Sequence, residues 1–377
     1  MYSLETRDFQ QFVYLARSFN QGKLYFIQLG DALWHDTVFF NANYYWPLGP
    51  FPAILISPFV FLFDNLKISF YQSFVQIPLV IAIYFLVFKM ARRLTYSFNN
   101  SLFMAFAFCF ASVFMGVAFT SSSWYFAHVV TVFLLLLILN EYLTKKRYWL
   151  IGIIFGLVAL TRLTAFLGII FFILGILLNR KVELGIRLAR LVELLSPVVP
   201  FLAIMGYYNY FRFGNFLEQG YSLQSIGGQL SSLRSSHGLY SIFYLPTNLY
   251  YFLIAPPTPV IDEVSRLLVF PFLRYDLWGM GILFTSPYIL KLFSFRFEDL
   301  ETKTLLLAIF LVALPIFLYY GIGWAQFGYR YSLDFFPLLF LLFAKKMRQG
   351  SENLSIGVKV LIIISSLFNY YLFSVSN

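Results

Sequence analysis

Charge is scarce in this chain. Only 12% of its 377 residues are Asp, Glu, Lys or Arg, and 60% are hydrophobic, whereas a soluble domain carries about 25% charged and about 45–50% apolar residues. Cysteine is almost missing. The single Cys109 lies in an apolar run, which excludes an internal disulfide and a thiolate metal cluster. Histidine is equally thin: His35, His128 and His237 stand at no metal-ligand spacing. His128, inside an apolar run, reads as a polar contact between helices. There is no Walker A loop, no D-x-D pair and no G-x-G-x-x-G; the nearest approach, Gly279-Met280-Gly281, lacks its third glycine. A soluble nucleotide-using domain is therefore not expected. The apolar runs do not alternate with polar residues, which argues against a β-barrel. No internal repeat is visible, and Met1 opens into a polar segment rather than a cleavable signal.

What is present are apolar stretches of the length that crosses about 30 Å of hydrocarbon, roughly 20 residues. Tyr71–Met90, Leu102–Thr120, Trp124–Leu143, Leu194–Phe211, Leu305–Tyr320 and Ile356–Phe373 qualify or nearly do. The reading is an all-α, polytopic integral membrane protein with roughly ten transmembrane or short re-entrant helices, taken as a single unit over 1–377. Within it, 1–64 would form an outer first loop with interfacial helices and 65–377 the transmembrane bundle, with outer loops near 212–240 and 321–334. The net charge of +10 sits in short connectors beside the spans, which suggests membrane sorting and not nucleic acid. Five clusters carry it: Arg92/Arg93; Lys145/Lys146/Arg147; Arg180/Lys181/Arg187/Arg190; Lys291/Arg296; and Lys345/Lys346/Arg348. With all five on the cytosolic side, 121–123, 212–240, 321–334 and the C-terminus lie outside. Tyr148–Leu178 then has basic residues at both ends, and as one helix it would be about 46 Å long. A hairpin of two short helices turning near Thr161 and Arg162 is expected instead.

The outer segments carry the chemistry. Phe9, Phe12, Val13, Ala16 and Phe19 follow helical spacing, with Gly22 as a stop, so an interfacial helix is expected with Asp8 in its first turn. The stretch Tyr44-Tyr45-Trp46-Pro47-Leu48-Gly49-Pro50-Phe51-Pro52 is too proline-rich for a regular helix and should lead into a short one ending near Phe63. The late outer segments YYNYFRFGNFLEQGY (207–221) and GWAQFGYRYSLDFFP (323–337) hold arginines and few carboxylates. Guanidinium near a membrane suits a phosphate through paired charge-assisted hydrogen bonds. Arg330 stands between Tyr329 and Tyr331; its bland alternative is an anchor paired with Asp334, four residues on.

These segments carry a family resemblance. Arg7-Asp8-Phe9 through Tyr14-Leu15-Ala16-Arg17-Ser18, then Tyr44 through Phe59, then Gly156-Leu157-Val158-Ala159-Leu160-Thr161-Arg162, then the two late motifs, together resemble bacterial GT-C superfamily glycosyltransferases. The resemblance lies in the branch of protein O-mannosyltransferases and lipid A aminoarabinose transferases. It implies a many-helix cell-membrane enzyme with its active site on the extracytoplasmic face. The donor would be a polyprenyl-phosphate-linked sugar, and the acceptor a lipid, glycan or protein. The family's first-loop aspartate, which activates the acceptor hydroxyl, maps to Asp8. Arg330, then Arg212 and Arg162, would face the donor phosphate. Asp36 and Glu218 stand as candidate acceptor or metal contacts, and Tyr45, Tyr329 and Tyr331 as substrate contacts. Some members use a divalent cation, which stays open here. The family has a transmembrane helix before the first loop, whereas this sequence begins inside that loop: either the chain is shortened or its start is unusual. Two rival classes remain: a transporter or flippase of lipid-linked sugars, which would show two related halves, and a non-catalytic membrane scaffold.

Overall fold

The computed structural model describes residues 9–28, 36–350 and 354–376. In chain order it contains α1 (Gln11–Asn20), the hairpin β1 (Val38–Phe40) and β2 (Asn43–Tyr45), α2 (Phe51–Asn65), α3 (Ser73–Arg93), α4 (Phe98–Phe110), α5 (Phe114–Ala118), α6 (Ser123–Tyr142) and α7 (Tyr148–Ala159). These are followed by α8 (Leu163–Phe166), α9 (Ile169–Leu177), α10 (Leu184–Leu195), α11 (Val198–Phe213), α12 (Gly228–His237) and α13 (Leu245–Leu253). A second antiparallel hairpin, β3 (Thr258–Ile261) and β4 (Leu268–Arg274), precedes α14 (Ile282–Thr285), α15 (Leu300–Leu318), α16 (Phe336–Gly350) and α17 (Ile356–Ser376).

Among the described residues, five helical segments are long and apolar enough to cross a membrane: 73–93, 123–142, 184–213, 300–318 and 356–375. Four shorter apolar helices accompany them: 51–65, 98–110, 148–159 and 163–177. The expectation of roughly ten transmembrane or short re-entrant helices thus meets five long and four short apolar helices among the described residues, and the interruptions have local causes. The stretch read as one span, Leu102–Thr120, breaks after α4, where the Ser112 hydroxyl donates to Phe108 O at 2.6 Å, a local bond that competes with the helix ladder. The 184–213 span is interrupted at Ser196-Pro197, between α10 and α11. Helix α6 is the axis of the bundle: it is 83% buried over its most apolar window, and it packs against α3, α7 and α16.

The expected 148–178 hairpin is present. α7 stops at Ala159, the chain turns through Leu160 and Thr161, and α8 and α9 return, with Phe155 of α7 against Phe166 and Phe172 at 6.3 and 5.3 Å. The start of α2 docks on that turn. Phe51 N donates to Leu160 O at 3.0 Å, and a Cβ on Gly49 would lie 2.2 Å from the same oxygen, so only glycine fits.

Side-chain contacts tie the basic clusters to one end of the bundle. Arg93 donates to Asn140 O and Oδ1 at 2.6 and 2.7 Å, and Arg147 forks Glu141 at 2.9 and 2.8 Å. The Tyr142 hydroxyl donates to Glu301 at 2.9 Å, and Lys345 also pairs with Glu301. Lys346 reaches Asp299 at 2.9 Å, three residues past Arg296, and Arg348 reaches Thr95 at 2.9 Å. Arg190 lies over the Tyr148 ring at 5.9 Å. The segments read from sequence as outer meet at the opposite end.

Candidate functional site

At that opposite end the first segment is stitched to the starts of α3 and α6. Phe9 O accepts from Ser123 N at 3.0 Å and from the Ser123 hydroxyl at 2.8 Å. Gln10 Oε1 accepts from Gln72 N at 2.9 Å, and Gln72 Nε2 donates to Ser121 O at 2.9 Å. Phe9 has φ 65°, a left-handed conformation costly for a bulky residue, and such conformations gather at functional sites. The same first turn of α6 reaches the late motif, because the Tyr125 hydroxyl donates to Ala325 O.

Three residues past Tyr125, at His128, the helix reaches a buried charged cluster. Asp334 ends the short 3-10 helix Arg330–Asp334 and is fully buried. Its carboxylate accepts Nε and Nη2 of Arg162 at 2.6 and 2.9 Å and the Thr164 hydroxyl, and His128 Nδ1 lies 3.6 Å away. Burial alone would push this carboxyl up. The Arg162 charge and its hydrogen bonds, with His128 close by, outweigh it and hold the group well below the usual carboxylate range. The turn of the α7–α8 hairpin is thereby clamped to the late motif.

Arg330, at the other end of the same 3-10 helix, is 7% exposed. Its Nη1 donates to Trp324 O at 3.0 Å and to Gln326 Oε1 at 3.3 Å. Among the described residues its buried Nε has no hydrogen-bond partner, and an orphaned buried donor on a cation is costly enough to require a reason. The guanidinium lies over the rings of Tyr331 and Tyr125 at 5.1 and 5.3 Å. Arg162 also lies over the Tyr331 ring, at 5.8 Å. Two cations thus flank one phenol while a single carboxylate balances one of them. This arrangement is suited to an anion.

The remaining candidates divide. Arg212 is buried and bonded to Trp46 O at 2.7 Å, Tyr208 O at 3.2 Å and Asn209 Oδ1 at 2.8 Å, so it ties α11 to the aromatic-proline segment. Tyr45 is buried against Phe213 at 5.3 Å. Glu218 caps its own loop, accepting from Gly220 N at 2.5 Å and the Ser222 hydroxyl at 2.6 Å. Asp36 has φ 61° and donates its backbone N–H to Ser225 O at 2.9 Å. Tyr329 is 2% exposed and its hydroxyl donates to Asn248 Oδ1 at 2.7 Å. Asp8 lies outside the described residues, directly before the pinned Phe9. Among the described residues no three His, Cys, Asp or Glu side chains group as a metal site.

Sequence reasoning offered Asp334 as a partner of Arg330 only as the bland alternative; in the structure its partner is Arg162. It also missed Thr164 and the role of His128. The only local signal was Thr161-Arg162-Leu163-Thr164, two polar side chains flanking an arginine inside an apolar stretch, a pattern that marks a functional site in a membrane.

No family model matches the chain, and no curated protein does. Among solved structures it is similar to the oligosaccharyltransferase AglB of Archaeoglobus fulgidus in complex with an inhibitory peptide and a dolichol-phosphate, at 14% identity and a TM-score of 0.43 over 97% of this chain and 51% of that one. It is also similar to the apo form of the Archaeoglobus fulgidus oligosaccharyltransferase, at 12% identity and a TM-score of 0.46 over 97% and 51% of the two chains. The chain spans about half the length of those proteins. At this identity no residue role passes from them to this chain.

Proposed function

We propose that the chain is a membrane glycosyltransferase that moves a sugar from a polyprenyl-phosphate-linked donor to an acceptor on the non-cytosolic face. The observation that carries this reading is Arg330, a buried guanidinium with an unpartnered Nε, set at the end of the bundle opposite every basic cluster. By the positive-inside rule that end is the non-cytosolic one. A lipid-linked donor needs a cation for its phosphate there and needs no nucleotide-binding domain. Asp8, next in sequence to Phe9, takes the proton of the acceptor hydroxyl as that oxygen attacks C1 of the sugar. The bond from C1 to the phosphate oxygen breaks, and the phosphate leaves with the electron pair. It departs as an anion, so it needs charge stabilisation more than protonation, and Arg330 supplies it. Arg162, neutralised by Asp334, holds the site together.

The test is incubation of the purified protein with a panel of polyprenyl-phosphate sugars, followed by measurement of sugar release and transfer. Asp8→Asn should bind donor normally and transfer about 10² to 10⁴ times more slowly, the usual worth of a general base, with Glu5→Gln near the parental rate. Transfer by Asp8→Asn at the parental rate would remove Asp8 from the mechanism. A parent that transfers nothing yet moves lipid-linked sugar between leaflets would favour a transporter.

A further inference from the structure

Tyrosines from three distant segments meet beside the arginine pair. Tyr331 carries Arg330 and Arg162 on its ring at 5.1 and 5.8 Å. Tyr319, just past the end of α15, lies 6.3 Å from Tyr331 at 86°, and Tyr221, in the loop after α11, lies 6.4 Å from Tyr319 at 84°. Backbone pairing fixes the arrangement: Ser241 N donates to Leu318 O at 2.8 Å, and Tyr320 N donates to Leu239 O at 3.1 Å. Burial raises the phenols of Tyr221 and Tyr319, yet Tyr221, Tyr319 and Tyr331 all keep partly accessible surface. An interfacial aromatic belt would turn its rings outward to lipid. These rings instead pack edge to face with one another beside the arginines.

We infer that Tyr331, Tyr319 and Tyr221 form the subsite for the sugar ring of the lipid-linked donor. The assignment rests on the proposed function. In such a donor the sugar is bonded directly to the phosphate, so its ring must lie beside the cation that holds the phosphate. The tyrosines begin at that cation and lead away from it. Phenols offer what a sugar needs: flat apolar faces for its C–H surface and hydroxyls that both donate and accept. The polyprenyl tail needs neither. Tyr329 is excluded from the subsite because it is fully buried and its hydroxyl is committed to Asn248.

The experiment compares binding of bare polyprenyl phosphate with that of polyprenyl phosphate carrying a hexose or a pentose, in detergent-purified protein. The parent should prefer one sugar-bearing lipid over the bare one. Tyr319→Ala and Tyr221→Ala should each reduce that preference about tenfold, the scale of a lost aromatic contact with its hydrogen bond, while bare polyprenyl phosphate binds as in the parent. That unchanged binding also reports an intact fold. Tyr319→Phe and Tyr221→Phe, which keep the ring, should change the relative preference for hexose and pentose. Parental preference in all four variants overturns the subsite and leaves the glycosyltransferase reading standing. A parent that does not distinguish sugar-bearing from bare lipid overturns both.

Discussion

A guanidinium can serve as an anchor or as a ligand, and Arg330 and Arg162 show both uses side by side. Arg162 spends its fork on Asp334 at 2.6 and 2.9 Å, whereas Arg330 keeps Nε unpartnered among the described residues. Arg330→Lys keeps the charge but loses the planar fork, so donor affinity should fall at least several-fold while the melting temperature holds; equal affinity would make Arg330 an anchor. Asp334→Asn should act on stability. It leaves Arg162 buried without its counter-charge, and breaking a buried pair from one side costs about 3–5 kcal/mol. Denaturation of the purified variant reads that loss directly. The pH dependence has a defined sign. The folded carboxyl is held below its usual range, so its contribution is fully present above about pH 4, the ordinary aspartate value. It fades as pH falls below that point, and Asp334→Asn should flatten the acid limb of the stability profile.

Helix α1 and the α7–α9 hairpin were legible in the sequence because each is written locally. Apolar residues at helical spacing and a glycine stop mark α1, and Gly22 does take a left-handed φ of 69°. Basic residues at both ends of one apolar stretch forced the hairpin. The Asp334–Arg162 clamp was not legible, since its partners stand 172 residues apart and nothing local to either names the other. The β3–β4 hairpin was missed although two apolar strands flank the polar turn Asp262–Arg266. Strands of four and seven residues leave little trace beside long apolar runs. Docking of α2 on the hairpin turn gives this scale its own test. Gly49→Ala would place a Cβ 2.2 Å from Leu160 O and 2.8 Å from Thr161 O, both backbone atoms that cannot rotate aside. The turn carrying Arg162 must then shift, at a cost of about 1–3 kcal/mol. Both melting temperature and donor affinity should drop. A variant with parental values would show that the first segment and the hairpin are not mechanically joined.

Seen as a whole, the bundle has one end where the basic clusters interlock and another where the first segment, the late motifs and the tyrosines converge. Cysteine labelling tests which end faces which compartment. In a Cys109→Ser background, Ser236→Cys on exposed α12 should react with a membrane-impermeant maleimide in intact cells, and Asn179→Cys beyond α9 should react only after permeabilisation. The reverse pattern would turn the molecule over and place the site in the cytosol. The stitching of Phe9 and Gln10 to Ser121–Ser123 has a consequence in time. Phe9 leaves the ribosome well ahead of its partner, because the hydroxyl that holds it belongs to Ser123, 114 positions later. At about 5–20 residues per second, the first segment waits on the order of ten seconds for its partner. It must spend that interval in the interface, kept there by the apolar face of α1. Biogenesis of this protein therefore fixes its first segment only when α6 inserts. A nascent chain arrested before Ser123 should leave that segment open to protease, and one released beyond α6 should protect it.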